Sequence, residues 1–453
     1  MSLAARLRVP HPLVLLTGGI FLAALASWII VPGEYDRQLD EGTGREVMVA
    51  GTYEELSERS TVNAFDAVVA IPRGMLHVGD VIFLVFLIGG AFTVLDSAGV
   101  LARGTSALSR FLAGRTILTI PVVSLCFGAA GVTFNMQEEV IALTPVMLVL
   151  CRRVGFQPVV AAGMSLGSAM VGSAFSPTNP FQVGIAKRVA DLDPGTGTWF
   201  RSSVLAIALG IWIVATMRYA IRTRAEPQVS AGEDADQGSL TASDTAVLLL
   251  VAVTFAVVTL GLVRLGWGFD ELSATFVIMG VAVGAIKRMG PTGIAEAFVR
   301  GFRNMAYAAL LIGFARAIYL VLEDGQVLDT IVHALFTPLS DLPLFASAAG
   351  MTVAQAGLHI VVPSVSSQAV LTMPVAAPLA DLLGMSREIV VLAYQYGGGL
   401  CDLMTPTNGA LMAVLATVKV RYEEWFRFAG PTYLILLALG IAAIGVALTI
   451  GFG

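Results

Sequence analysis

Charge is scarce in this chain. Only 13% of its 453 residues are Asp, Glu, Lys or Arg, about half the share found in a soluble domain. That scarcity excludes a water-soluble enzyme and a disordered chain. Neither sign dominates: 27 Lys+Arg face 32 Asp+Glu, a formal net charge of −5, so no basic surface awaits nucleic acid. Cysteine is nearly absent. Cys126, Cys151 and Cys401 sit in apolar runs without metal-ligand spacing and cannot form a disulfide framework, so they read as small buried hydrophobes. No His-Glu-x-x-His, phosphate-loop or other nucleotide-using motif occurs. What the chain does have is apolar residue, 56% of the total with mean hydropathy +0.82. It reads as an all-α polytopic membrane protein.

A crossing helix needs roughly 20 mostly apolar residues. Segments 12–31, 78–100, 199–222, 244–265, 270–286, 304–322 and 428–452 fit as single spans. The Ala24-Leu25-Ala26 triplet resembles a signal-peptidase site, but the run is as long as a full span and reads as a retained helix. Two longer apolar regions, 115–190 and 342–421, are interrupted by Pro, Gly and polar clusters. Irregular backbone at membrane depth persists only where protein or a water-filled cavity covers it. These regions are where function is expected.

Basic residues set the orientation. Arg6 and Arg8 place the N-terminus inside, in an inner cell membrane. The acidic loop 33–77 reads as external; Arg103, Arg110 and Arg115, Arg152 and Arg153, Arg218 through Arg224, Lys287 with Arg288, Arg300 with Arg303, and Lys419 with Arg421 read as internal. This works only if 115–153 and 342–383 are re-entrant hairpins, the first entered from inside and the second from outside. Nine crossings and two hairpins result, with Lys187 and Arg188 as the exception. The expected organisation is an N-terminal span and external loop (1–77), a first repeat (78–222, with hairpin 115–153 and broken helix 156–190), a cytoplasmic linker (223–243), scaffold spans (244–303), and a second repeat (304–453, with hairpin 342–383 and broken helix 386–421).

The repeats are visible as an ungapped match at an offset of 229 residues: Gly128, Val132, Pro145, Val146, Leu150, Gly155, Pro177, Thr178 and Asn179 correspond to Gly357, Val361, Pro374, Val375, Leu379, Gly384, Pro406, Thr407 and Asn408. Prolines, glycines and a Thr-Asn pair match, rather than leucines. The charge pattern orients the two copies oppositely. Inverted repeats with discontinuous helices are the signature of secondary transporters that bind at the midplane.

Three constellations carry candidate chemistry. The first is Ser176-Pro177-Thr178-Asn179-Pro180 with its echo Thr405-Pro406-Thr407-Asn408-Gly409. Proline breaks the helix, and the freed carbonyls, hydroxyls and amides could hold Na⁺ or a substrate carboxylate, aided by the following helix N-terminus. A plain proline kink is the bland alternative. The second is the hairpin tips, with Thr133 and Asn135 at one and Ser364, Ser366 and Ser367 at the other; these residues either bind or merely cap helices. The third is the intramembrane charges Glu138, Glu139, Arg316 and Asp402, each too costly to face lipid. Glu138 and Glu139 could bind a cationic substrate, carry a coupling proton, or only complement a helix dipole. Arg316 could neutralise Asp402 or a substrate carboxylate. Substrate contact is expected from Asn135, Glu138, Glu139, Thr178, Asn179, Ser364, Ser366, Ser367, Thr407 and Asn408, and ion coupling from Thr133, Ser176, Thr405 and Asp402. Arg316, Pro177 and Pro406 are assigned to structure or charge pairing.

Gly163-Met164-Ser165-Leu166-Gly167 matches G-x-S-x-G, with His359 as a conceivable base. The required strand-turn-helix context is missing, so a small-residue packing face explains it better. His359 reads as a core histidine, with proton coupling as the alternative. A channel and an intramembrane hydrolase are the other classes that these features leave open.

The segments Pro363-Ser364-Val365-Ser366-Ser367, Leu371-Thr372-Met373-Pro374, Thr405-Pro406-Thr407-Asn408-Gly409, Asn135-Met136-Gln137-Glu138-Glu139 and Gly313-Phe314-Ala315-Arg316 resemble the YfcC family of the ion transporter superfamily. The resemblance implies an elevator-type carrier with two hairpins and two broken helices, often dimeric. It implies an amino acid substrate, of the basic arginine/ornithine type, or a four-carbon dicarboxylate. It implies no cofactor beyond Na⁺ or H⁺ as coupling ion, no enzyme activity, and no partners beyond the small-molecule substrate, the lipid bilayer and a second copy. Dicarboxylate relatives carry Ser-Asn-Thr at their tips, a triplet that this chain lacks.

Overall fold

A computed structural model describes residues 12–40, 45–49, 51–101, 103–104, 116–193, 195–225, 240–261, 265 and 267–453. Arg6, Arg8, Arg110 and Arg115, and all but the ends of the 223–243 linker, lie outside the described residues.

Single helices stand where single spans are expected: α1 (Pro12–Ile29), α3 (Gly79–Ser97), α8 (Thr198–Arg222), α9 (Ala242–Leu260), α10 (Phe269–Ile286) and α17 (Tyr422–Thr449). The span expected at 304–322 is the C-terminal half of a longer helix, α11 (Gly290–Asp324). At 1.5 Å per residue its length is about 50 Å, well over the ~30 Å hydrocarbon core. Arg300 and Arg303 therefore ride on the helix itself instead of lying in a loop before it. Seven stretches among the described residues are long and apolar enough to cross a membrane: α3, Thr116–Thr133, α8, α10, α11, α13 (Leu344–Val361) and α17.

The acidic 33–77 loop is more ordered than its composition suggests. Two short antiparallel pairs form, β1 (Gly33–Glu34) with β4 (Glu54–Glu55) and β2 (Arg37–Asp40) with β3 (Arg45–Met48). A helix, α2 (Ala64–His77), comes next; Asn63 caps it by accepting from Phe65 N and Asp66 N, and it lies along α11. Gly74 permits that approach, since a Cβ there would stand 2.6 Å from Gly313 O. The loop is pinned by Asp329, which accepts from Tyr35 N at 3.0 Å and pairs with Arg37 at 2.9 Å, and by the stacked rings of Tyr53 and His333. His333 belongs to α12 (Leu328–Phe336).

The same succession of elements then occurs twice. The first is α4 (Thr119–Phe134), a turn, α5 (Glu138–Val154), a helix α6 running over Pro158–Ala174, a break, and a π-turn at Pro180–Gly184 leading into α7 (Ile185–Val189). The second is α13, a turn, α14 (Val365–Leu382), α15 (Arg387–Tyr394) with a π-turn at Gln395–Gly399, a break, and α16 (Gly409–Thr417). Corresponding glycines end the second arms in the left-handed region, Gly155 at φ 82° and Gly384 at φ 67°, where a Cβ would be strained. A buried charge cluster joins the copies: Glu388 of α15 lies 3.3 Å from Lys187 of α7 and 2.7 Å from Arg201 of α8. Lys187 departs from the charge rule because it is no loop residue; its side chain is 1% exposed.

Candidate substrate site

The tips and breaks are built by local chemistry. Helix α4 ends because Asn135 adopts the left-handed conformation, φ 57°, its amide returning to Gly131 O at 3.2 Å. Helix α13 ends ahead of Pro363, and Ser364 caps α14 by accepting from Ser367 N. After α6, the Ser176 hydroxyl accepts from Thr178 N and Asn179 N at 3.0 and 2.8 Å. Asn179 then caps the following turn, accepting from Phe181 N and Gln182 N. Asn408 does the same for α16 through Leu411 N at 2.8 Å.

The two asparagine amides tie breaks to tips. Asn179 Nδ2 donates to Gly131 O at 2.9 Å and Ser173 Oγ at 3.0 Å. Ser173 in turn donates to Asn135 Oδ1. Asn408 Nδ2 donates to Asp402 Oδ1 at 2.6 Å and Gln137 Oε1 at 3.3 Å. Thr407 Oγ donates to Ile360 O at 2.8 Å, joining the second break to its own hairpin. Gln395 Nε2 donates to Ser176 O at 2.8 Å, joining one break to the other copy. Hydrogen bonds thus tie the tips to the breaks.

A cavity of about 320 Å³ opens among them. Of the expected substrate residues its wall includes Asn135, Glu138, Glu139, Ser364, Ser366, Thr407 and Asn408, together with Asp402 and Arg316. Thr178, Asn179 and Ser367 are not on this wall, nor are Thr133, Ser176, Thr405, Pro177 and Pro406. Thr178 is exposed and Asn179 is fully buried behind the tip. The hydroxyls assigned to ion coupling donate to main-chain carbonyls: Thr133 to Ala129 O, Ser176 to Val132 O and Thr405 to Cys401 O. Among the described residues no group of His, Cys, Asp and Glu could hold a metal ion.

The cavity is unevenly charged. Three acids, Glu138, Glu139 and Asp402, share its wall with one base, Arg316. Asp402 has a side-chain partner in place, but it is His359 and not Arg316: His359 Nε2 stands 2.8 Å from Asp402 Oδ1. Arg316 reaches His77 Nε2 at 2.8 Å and stacks over the Tyr319 ring at 4.3 Å, while its Nε has no hydrogen-bond partner. Glu139 Oε2 is likewise buried without a partner. Buried polar atoms are rarely left so, and both atoms belong to residues on the cavity wall. Ser165 of the G-x-S-x-G match donates to Ala161 O inside its own helix at 2.7 Å, and the His359 ring is held by Asp402 and Gln368. No nucleophile–base pair forms between them.

Sequence reasoning missed Gln137, Tyr319 and Phe181 as cavity residues. Gln137 was signalled by its place between Asn135 and Glu138 on the tip, and Tyr319 by its helical spacing from Arg316.

Residues 9–449 match the DcuC family, described as C4-dicarboxylate anaerobic carrier. The Escherichia coli K12 protein named "Putative basic amino acid antiporter YfcC" is 30% identical, over 98% of this chain and 97% of that protein. An uncharacterized Haemophilus influenzae protein is 28% identical over 87% of this chain and 80% of its own. Among solved structures, the Alcanivorax borkumensis YdaH transporter aligns over 98% of this chain and 99% of its own with a TM-score of 0.50 at 17% identity. That likeness is one of fold; the seven apolar helices and the relative named as an antiporter mark the chain as an integral membrane protein.

Proposed function

We propose, from the premise that this chain belongs to the DcuC family, that it is a secondary active transporter for a cationic amino acid. The observation that carries this reading is the charge balance of the cavity. A dicarboxylate brings two negative charges, and the wall offers one base, Arg316, against Glu138, Glu139 and Asp402. An amino acid of the arginine or ornithine type satisfies both signs. Its carboxylate meets Arg316, whose Nε is unpartnered, and its cationic side chain meets Glu138 and Glu139, the latter with an unpartnered Oε2. Asn135, Ser364 and Ser366 at the tips, with Thr407 and Asn408 at the break, supply neutral hydrogen bonds. A cavity of about 320 Å³ is at the lower end for small-molecule sites, roughly 300–1,000 Å³, and suits a single amino acid.

In this reading the two hairpins and two broken helices move as one body against a scaffold that includes α3, α9, α10 and α11. The repeats are inverted, and the N-terminus lies inside an inner membrane. The name of the E. coli relative agrees with a basic amino acid; the description of the family favours a four-carbon dicarboxylate instead.

A thermal-shift screen of the purified chain separates the two. L-arginine or L-ornithine raises the unfolding midpoint in a concentration-dependent way, because a ligand stabilises the state that it binds, and succinate and fumarate leave it unchanged. Arg316→Met weakens that binding by about tenfold or more, the equivalent of ~1.4 kcal/mol. A shift with succinate and none with either amino acid overturns the assignment.

A further inference from the structure

His359 lies behind the cavity wall, fully buried on α13, and its hydrogen bonds count protons. Gln368 is oriented by its own donors: Nε2 gives to Gln355 O at 2.7 Å and Gln355 Oε1 at 2.6 Å. Gln355 is oriented in turn by donating to Thr372 Oγ at 2.8 Å, and Thr372 donates to Gln368 O. Gln368 Oε1 therefore faces His359 Nδ1 as an acceptor at 2.7 Å, and Nδ1 must carry a hydrogen.

The other side of the ring is equally constrained. Asn408 is oriented by accepting from Leu411 N, so its Nδ2 donates to Asp402 Oδ1, and Gln137 Nε2 donates to Asp402 Oδ2 at 2.8 Å. With Nδ1 already protonated, the 2.8 Å contact between His359 Nε2 and Asp402 Oδ1 requires one further proton. It sits either on the ring or on the carboxyl. Without it, a nitrogen lone pair faces a carboxylate lone pair and the contact becomes repulsive.

We infer that His359 and Asp402 together hold one exchangeable proton, and that its exchange for a cationic substrate couples the two fluxes. The inference deepens the transporter reading and rests on it. On release, the proton passes from the His359–Asp402 contact to the cavity, and Asp402, already on the cavity wall and still accepting from Gln137 and Asn408, is left as a carboxylate. A cation arriving beside it favours that release. The change of charge is transmitted, because Asp402 holds both Gln137, next to the first tip, and Asn408, the cap of α16.

Other titratable and charged groups surround the pair. Glu138 and Glu139 of α5 and Arg316 of α11 line the same cavity as Asp402. Tyr394 of α15 donates to Val365 O at 2.5 Å. Cys401, the neighbour of Asp402, donates to Ala356 O at 3.4 Å, and Tyr433 of α17 reaches Cys401.

The test uses the full chain in two settings. In proteoliposomes, an outwardly directed proton gradient is set against L-arginine as probe. Wild-type protein accumulates L-arginine in response to the gradient; H359Q, which keeps a donor toward Asp402 but no exchangeable proton, loses at least tenfold of that accumulation. L-arginine still shifts its thermal midpoint, because His359 does not touch the cavity. Gradient-driven accumulation by H359Q equal to wild type overturns the inference. In nanodiscs, ¹⁵N-histidine NMR, with His11, His77 and His333 replaced in turn for assignment, reads the ring directly and depends on neither substrate nor H359Q folding. His359 keeps Nδ1–H throughout and exchanges one proton with Asp402 at Nε2, and D402N abolishes that exchange. A ring that carries its hydrogen on Nε2 alone contradicts the inference. If wild-type protein neither binds nor accumulates L-arginine, the substrate reading fails and the NMR result alone decides the proton site.

Discussion

Gly131→Ala should separate the packing that holds the first tip from ordinary helix propensity. A Cβ at Gly131 would stand 2.0 Å from Ala169 O and 2.7 Å from Ala169 C, both main-chain atoms of α6. Ordinary van der Waals contact begins at 3.4 Å, so α4 and α6 must part by more than an ångström. No side chain can yield in their place. Gly172 shows the same closeness from the other side, its Cβ position being 2.2 Å from Gly128 O. Overpacking of this kind costs typically about 1–3 kcal/mol. Displacing Gly131 O from Asn179 Nδ2 adds about 1 kcal/mol. Replacing Gly by Ala in a helix returns about 1 kcal/mol. The net expectation is a loss of roughly 1–3 kcal/mol. A contrasting glycine is Gly357 in the second repeat, which has nothing within 4 Å of its Cβ position; Gly357→Ala should stabilise by up to about 1 kcal/mol. Urea or thermal midpoints of the two purified variants decide the matter. A Gly131→Ala protein as stable as Gly357→Ala would refute the close-packing account of α4 against α6.

Two further perturbations test other parts of the structure. Glu388→Ala leaves Lys187 and Arg201 as buried cations without their shared carboxylate; removing one side of such a pair typically costs about 3–5 kcal/mol, so the variant should show a large fall in unfolding midpoint, and an unchanged midpoint would contradict the burial of the cluster. Asp244→Ala removes a capping box with Thr241 and the partner of both Arg103 and Lys287. The cap alone is worth about 1 kcal/mol, so destabilisation of at least that size is expected in the same assay, accompanied by faster amide exchange in the first turn of α9.

Legibility tracks chemistry. The breaks and tips can be read because Pro177, Pro406 and Pro363 remove donors, while Asn179, Asn408 and Ser364 cap the helical turns after them; these are local rules that tertiary context does not overturn. Single spans are equally plain, since length and apolarity define them. Charge pairing is not legible. The sequence offers Asp402 as a partner for Arg316, yet Arg316 lies on Tyr319 and His77, and Asp402 belongs to His359, 43 residues away in sequence. No periodicity encodes such a contact. The order inside the 33–77 loop is hidden for the same reason: β-strands of two to four residues are set by distant partners such as Asp329. The division of polar residues between cavity and support is invisible as well. Thr178 and Thr407 match in sequence at the 229-residue offset, but only Thr407 lines the cavity.

The central claim, that one base and three acids select a cationic amino acid for transport, is tested most directly by counterflow. Proteoliposomes holding the full chain and loaded with unlabelled L-arginine should take up external radiolabelled L-arginine in a saturable way. Unlabelled L-ornithine should compete, succinate should not, and Glu138→Gln should reduce the rate by about tenfold or more, the equivalent of ~1.4 kcal/mol. Saturable exchange of succinate that L-arginine leaves untouched would contradict the account.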